Sequence, residues 1–223
     1  MLRAVLALRA TLALVLCIAC AAPTVAGETK GPTTTYAAAL RAINPQLAFA
    51  QSLALAETLL ADARKMRLDP RLVMALVKVE STWNPHAVSY DGATGLGQLE
   101  PATARRFGVR HPESGRENLH ATITYLHELM GSFHRAPDPI KAALAGYNTG
   151  PLTVARNGGL PTAGARGYVA KVLSNYHEIR NRVPAPANIA RVPDRVLDAV
   201  ASNVALDIAQ RVERSQESYW GGR

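Results

Sequence analysis

Aromatic side chains are scarce in this chain, at 5% of 223 residues, and there are only two cysteines. Strands draw heavily on aromatic and β-branched residues, so this scarcity, with 48% apolar residues and alanine prominent, argues against a β-sandwich and for a helical globular protein. Cys17 and Cys20 both fall within the first 20 residues. Beyond them no thiol is left for a disulfide, which excludes a disulfide-stapled scaffold. No later stretch approaches the roughly 20 apolar residues of a membrane-spanning helix. A phosphate cradle is missing too: no Gly-Lys-Ser/Thr follows the glycine-rich stretch 92–97, and no strand precedes it. His120, His127 and His134 recur every seven residues, ~10.5 Å of helical rise, too far for two of them to share a zinc ion. Position 131 is Gly131, so His127-Glu128 does not complete a His-Glu-x-x-His site. No metal and no cofactor is expected. The formal charge of +8 calls for an anionic partner. Lysines and arginines are dispersed, without an aromatic platform, so nucleic acid is not that partner.

What is present begins with an export signal. Arg3 and Arg9 precede the apolar run Leu12–Ala22, and small residues up to Ala26 suit cleavage there. The expected division is a signal peptide over 1–26, a linker and N-terminal segment over 27–44, a catalytic domain over 45–183 and a proline-interrupted helical extension over 184–223. The mature protein is expected to be exported and periplasmic, with lipidation at Cys20 as the alternative.

Asn44-Pro45, Asp69-Pro70 and Asp138-Pro139 each place a capping side chain before a proline suited to a first helical turn. Residues 27–35 are polar and read as a linker. Helical periodicity appears in Leu119, Ile123, Leu126, Met130 and Phe133. It recurs in Ile140, Ala143, Leu144 and Tyr147, and again in Tyr168, Val169, Val172, Leu173, Tyr176 and Ile179. No alternating strand pattern accompanies them, so the expected fold is mainly α. A further helical pattern at 194–217 is a candidate docking element for a secretion, conjugation or pilus machine.

In the helix opening at Asp69-Pro70, Leu72, Val73, Leu76, Val77 and Val79 form the apolar stripe, leaving Arg71 and Lys78 on the solvated side. Glu80 follows Leu76 by four and Val77 by three, which puts it on the stripe, in the last turn. Partial burial and the helix dipole both favour its protonated form, the requirement for a general acid near neutrality. The alternative on this helix alone is a terminal glutamate bending into solvent. Trp83 then supplies an aromatic wall, and Ser89 to Leu99 forms a loop with three glycines in six positions that ends on Gln98, an amide suited to sugar hydroxyl and acetamido groups. Tyr147 and Asn148 close a later helix before Gly150-Pro151, where the tyrosine hydroxyl can reach a buried carboxyl.

Glu80-Ser81, Asn84-Pro85-His86-Ala87, Gly92-Ala93-Thr94-Gly95-Leu96-Gly97-Gln98 and Gly146-Tyr147-Asn148-Thr149-Gly150 occur in that order. Together they resemble the soluble-type lytic transglycosylases, over roughly residues 55–182. Gly97 stands where that family often has methionine, which would line the cleft, and Gly146 and Thr149 stand where it has alanine. The resemblance implies a lysozyme-like helical catalytic domain acting on peptidoglycan glycan strands without a metal. It implies Glu80 as the single acid and then base, cutting between N-acetylmuramic acid and N-acetylglucosamine with a 1,6-anhydro product. Ser81, Ser89, Gln98, Tyr147 and Asn148 are the implied substrate-binding or positioning residues. The competing expectations are a water-using muramidase similar to goose-type lysozymes, with Asp91 or Glu100 holding the water, and a non-catalytic glycan-binding protein of an envelope-spanning assembly.

Overall fold

The computed structural model describes residues 31–187, and the export signal and the 194–217 docking element lie outside these residues. Among the described residues there are eight helices: α1 (Pro32–Ile43), α2 (Phe49–Lys65), α3 (Pro70–Ser81), α4 (Pro101–Arg106), α5 (Gly115–Ser132), α6 (Pro139–Thr149), α7 (Pro151–Arg156) and α8 (Ala163–Arg182). No strand occurs among them; extended pairing is limited to isolated bridges, Val88 with Thr94 and Thr94 with Leu99. None of the described helices is long and apolar enough to cross a membrane. The fold is mainly α, as expected.

Two of the three proline starts form as read. Asp69 accepts from the Arg71 amide at 2.9 Å to open α3, and Asp138 accepts from the Lys141 amide at 3.1 Å to open α6. Asn44 instead ends α1, and α2 begins only at Phe49. The Asn44 side chain is engaged elsewhere, accepting from the Gln46 amide at 3.0 Å and donating to the Trp83 carbonyl at 3.0 Å. The polar stretch read as linker to residue 35 enters α1 at Pro32, where Tyr36, Ala37 and Leu40 supply a buried face.

α3 runs through the centre, packed against α2 and α8. Every residue from Pro70 to Val77 is buried, Arg71 included. Arg71 therefore does not face solvent as its alternation in the sequence implied. Its guanidinium folds back on Asp69, with Nε to Oδ1 at 3.0 Å and Nη2 to Oδ2 at 2.7 Å, and the Tyr176 hydroxyl donates to the same Oδ2 at 2.7 Å. Two-pronged pairing with an added hydroxyl offsets the cost of desolvating both charges. The buried Tyr36 hydroxyl beside this group donates to the Pro184 carbonyl at 3.2 Å, tying the first helix to the end of α8. Lys78 is half-buried and pairs with Glu178 of α8 at 3.2 Å.

The apolar stripes read from the sequence fall on α5, α6 and α8 and meet the same core. Trp83 joins them. It is fully buried, with its indole N–H donating to the Met74 carbonyl at 3.1 Å, so it is a core residue and not a cleft wall.

Candidate active site

The last turn of α3 carries Glu80 and Ser81, and the backbone then turns sharply. Thr82 and Trp83 have φ of 53° and 60°, the left-handed region that costs a non-glycine residue roughly 1–2 kcal/mol. Burying the Trp83 ring recovers a comparable amount, on the order of 2–3 kcal/mol. This turn holds the end of α3 beside the glycine-rich loop. The Ser81 hydroxyl donates to the Leu96 carbonyl at 2.8 Å, which ties the helix end to that loop.

The loop itself is held by side chains. Ser89 Oγ accepts from the Ala93 amide at 3.0 Å, closing the Ser89–Ala93 turn. The two N–H groups of the Gln98 amide reach the Ala87 and Gly95 carbonyls at 3.1 and 3.0 Å. Asn118 on α5, fully buried, uses both ends of its amide here: Oδ1 accepts from the Gly97 amide at 2.8 Å, and Nδ2 donates to the Thr94 and Pro112 carbonyls at 2.9 and 3.0 Å. Ser89 and Gln98 thus act on the loop's own backbone; for Gln98 the carbonyl oxygen is what remains to meet a ligand.

Two glycines are required by close approach. A Cβ on Gly95, at φ +80°, would lie 2.3 Å from Asn118 Nδ2. A Cβ on Gly97 would lie 1.9 Å from Thr122 Oγ1 and 2.7 Å from Tyr147 Oη. The side-chain direction at 97 therefore points into the α5–α6 interior and not along the cleft, a correction to the reading of this position as cleft-lining. Gly146 has a similar basis, since a Cβ there would meet the Phe133 ring at 2.9 Å.

Tyr147 does not reach the carboxyl. Its hydroxyl donates to the Gly97 carbonyl at 2.8 Å, and its ring stacks at a tilt on Tyr125, centroids 5.1 Å apart. Burial, and after it the charge of the nearby Glu80, push the phenol well above its ordinary range. The hydroxyl on Glu80 belongs to Tyr168 of α8, which donates to Oε1 at 2.5 Å. Sequence reasoning placed Tyr168 on an apolar stripe and missed this contact. The only signal was a tyrosine on a buried face, where its hydroxyl must find a partner. Asn148 is exposed at the end of α6, open to solvent.

Glu80 is pushed up from 4.5 to about 7. Burial is the main cause; the Tyr168 hydrogen bond and the Lys171 ammonium act in the opposite direction, favouring the carboxylate. No other carboxylate contributes to that shift. Asp91 and Glu100 are both exposed. The site is thus one carboxyl poised near neutrality, with a phenol on one oxygen and a stapled loop beside it. His120 pairs with Asp62 of α2 at 2.8 Å, away from these groups, and no cluster suited to a metal ion occurs among the described residues.

Residues 57–167 match the family described as the transglycosylase SLT domain. A protein of Enterobacteria phage PRD1 named transglycosylase is 35% identical over 119 residues, which is 53% of this chain and 42% of that protein. Membrane-bound lytic murein transglycosylase F of Vibrio cholerae is 40% identical over 88 residues, 37% of this chain and 16% of that one. The chain spans less than half the length of these relatives. Among solved structures, an inactive mutant of the lytic transglycosylase Slt from Pseudomonas aeruginosa superimposes with a TM-score of 0.50 at 26% identity, covering 60% of this chain and 25% of that one.

Proposed function

Because residues 57–167 belong to the transglycosylase SLT domain family, we propose that this chain is a peptidoglycan lytic transglycosylase with Glu80 as its one acid and base. The observation that carries the reading is the state of Glu80: a largely buried carboxyl, raised to about 7, with no other carboxylate among the described residues contributing to that shift. A protonated Glu80 gives its proton to the glycosidic oxygen between N-acetylmuramic acid and N-acetylglucosamine, and the C1–O bond breaks. The muramoyl acetamido group supports the positive charge that develops at C1. Glu80, now a carboxylate, takes the proton of that sugar's C6 hydroxyl, and O6 closes on C1 to give the 1,6-anhydro ring. The proton count returns to its start and no water is consumed.

Each neighbour has a part in this cycle. Tyr168 holds one carboxyl oxygen in place, leaving the other to face substrate, and its donated hydrogen bond supports the carboxylate after proton transfer. Ser81, Ser89 and Tyr147 act through the loop, fixing the backbone at 89–97 against α3 and α6. Gln98 through its carbonyl oxygen and Asn148 through its exposed amide are the groups left to contact sugar.

The substrate lies outside the cytoplasm, and the apolar run Leu12–Ala22 supports a periplasmic location. The region at 194–217 stays a proposed docking element for an envelope-spanning machine; unchanged partner capture after truncation at Arg182 would remove it.

Digestion of purified peptidoglycan by the wild type and by Glu80→Gln, with mass spectrometry of the released muropeptides, tests the reading. Anhydro ends from the wild type alone are expected. New reducing ends would replace the lyase by a muramidase, and no release at all would leave only a glycan-binding protein.

A further inference from the structure

Lys171 is a charge at this site that the proton cycle does not use. It follows Tyr168 by three residues on α8, a spacing that sets both side chains on one helix face. Tyr168 is largely enclosed and reaches Glu80, whereas Lys171 is exposed one turn further along, and its ammonium still acts on the same carboxyl. Lys78 and Lys141 are engaged differently, with Glu178 and with Asp138. The ionisable groups that act on Glu80 are Tyr168 and Lys171 from α8, and Tyr147 faces it from α6; neither tyrosine carries a charge near neutrality.

The catalytic cycle proposed above, on which this inference rests, requires Glu80 to be neutral when substrate binds. In that state the carboxyl no longer offers Lys171 a negative charge, and the exposed ammonium on this face of α8 can attract another anion. The sugar that must sit over Glu80 supplies it. Muramic acid differs from glucosamine by a lactyl ether, whose carboxyl is free in peptide-free strands and amide-linked to a peptide with carboxylates of its own in peptide-bearing strands.

We propose that Lys171 binds a carboxylate of the muramoyl substituent and so helps place muramic acid, not glucosamine, on the side of the bond where the anhydro ring forms. Lys171 lies outside the segment matched to the family, which ends at residue 167.

Binding is measured in the Glu80→Gln background, which prevents turnover, with Lys171 intact, Lys171→Met and Lys171→Arg. Three ligands are compared by calorimetry: peptide-free glycan oligomers with free lactyl carboxylates, glycan oligomers carrying stem peptides, and neutral chitin oligosaccharides. Lys171→Met is expected to weaken carboxylate-bearing ligands about fivefold at low salt and to leave chitin binding unchanged, with Lys171→Arg restoring affinity. Weakening confined to peptide-free oligomers assigns the lactyl carboxylate; weakening confined to peptide-bearing ones assigns the stem. Equal weakening of all three ligands, or of none, overturns the proposal. Wild-type product analysis reports separately on the lyase reading, so the two can fail independently.

Discussion

Replacing Glu80 by Gln tests the raised acidity of this carboxyl without any substrate. The amide keeps the size of the protonated carboxyl and can still accept from Tyr168. What it cannot do is ionise. The folded protein holds the Glu80 proton until about pH 7, whereas the unfolded chain releases it near 4.5. Below 4.5 both states are protonated and the carboxyl adds no penalty. As the pH rises from 4.5 through about 7, the unfolded state gains a well-solvated carboxylate that the folded state can match only at a cost. Wild-type stability relative to Glu80→Gln therefore falls across that window and levels off above it. The gap between the two values corresponds to roughly 3 kcal/mol; partial solvent contact reduces this to about 1–3 kcal/mol. For a domain of this size the variant should melt roughly 3–10 °C higher than wild type at pH 8, with little difference at pH 4. Calorimetric melts at pH 4, 6 and 8 measure this directly. A difference that stays constant over that range refutes the raised acidity and, with it, the physical basis for Glu80 as an acid.

Tyr168→Phe removes a donor that favours the carboxylate, so the alkaline limb of the activity–pH profile should move to higher pH while kcat falls about 10- to 100-fold; a kcat loss without that shift would make Tyr168 only a packing residue. Gly97→Ala places a Cβ against Thr122 and Tyr147 and should lower stability by about 1–3 kcal/mol in urea titration while impairing activity, and an unperturbed melt would contradict the close approach. Asp69→Ala strands Arg71 in the interior and removes the α3 cap, for a loss of about 3–5 kcal/mol read by the same titration.

The parts of this structure that were legible in the sequence share a local cause. Asp69 and Asp138 announce α3 and α6 because a cap and a proline act on the adjacent backbone, whatever lies further away. Asn44-Pro45 carries the same signature and fails because Trp83, 39 residues later, offers its carbonyl to the asparagine. Pro32–Ile43 was hidden by three threonines whose polarity outweighed the short apolar face behind them. At the site, the placement of Glu80 on the apolar stripe followed from helical spacing. Which tyrosine meets it did not, because Tyr147 and Tyr168 differ only in how α6 and α8 approach α3. Arg71 was misread for a related reason: alternation assigns a charge to solvent, and only the tertiary position of Tyr176 and Asp69 shows that an interior partner exists. Asn118 was overlooked inside the α5 stripe, since a buried asparagine declares its purpose only through the loop it holds.

The left-handed turn at Thr82–Trp83 has a consequence for how this protein can fail. A carboxyl at a helix end would ordinarily sit on the part of a helix that frays first. Here the next residues drive an indole into the centre of the domain, three positions after Glu80, and anchor it on the Met74 carbonyl. The turn that carries the chemistry cannot loosen without bringing Trp83 into water. Heat or denaturant that silences the protein must therefore open its interior at the same time. A half-folded form that keeps its core and loses only its reactivity has no place in this architecture.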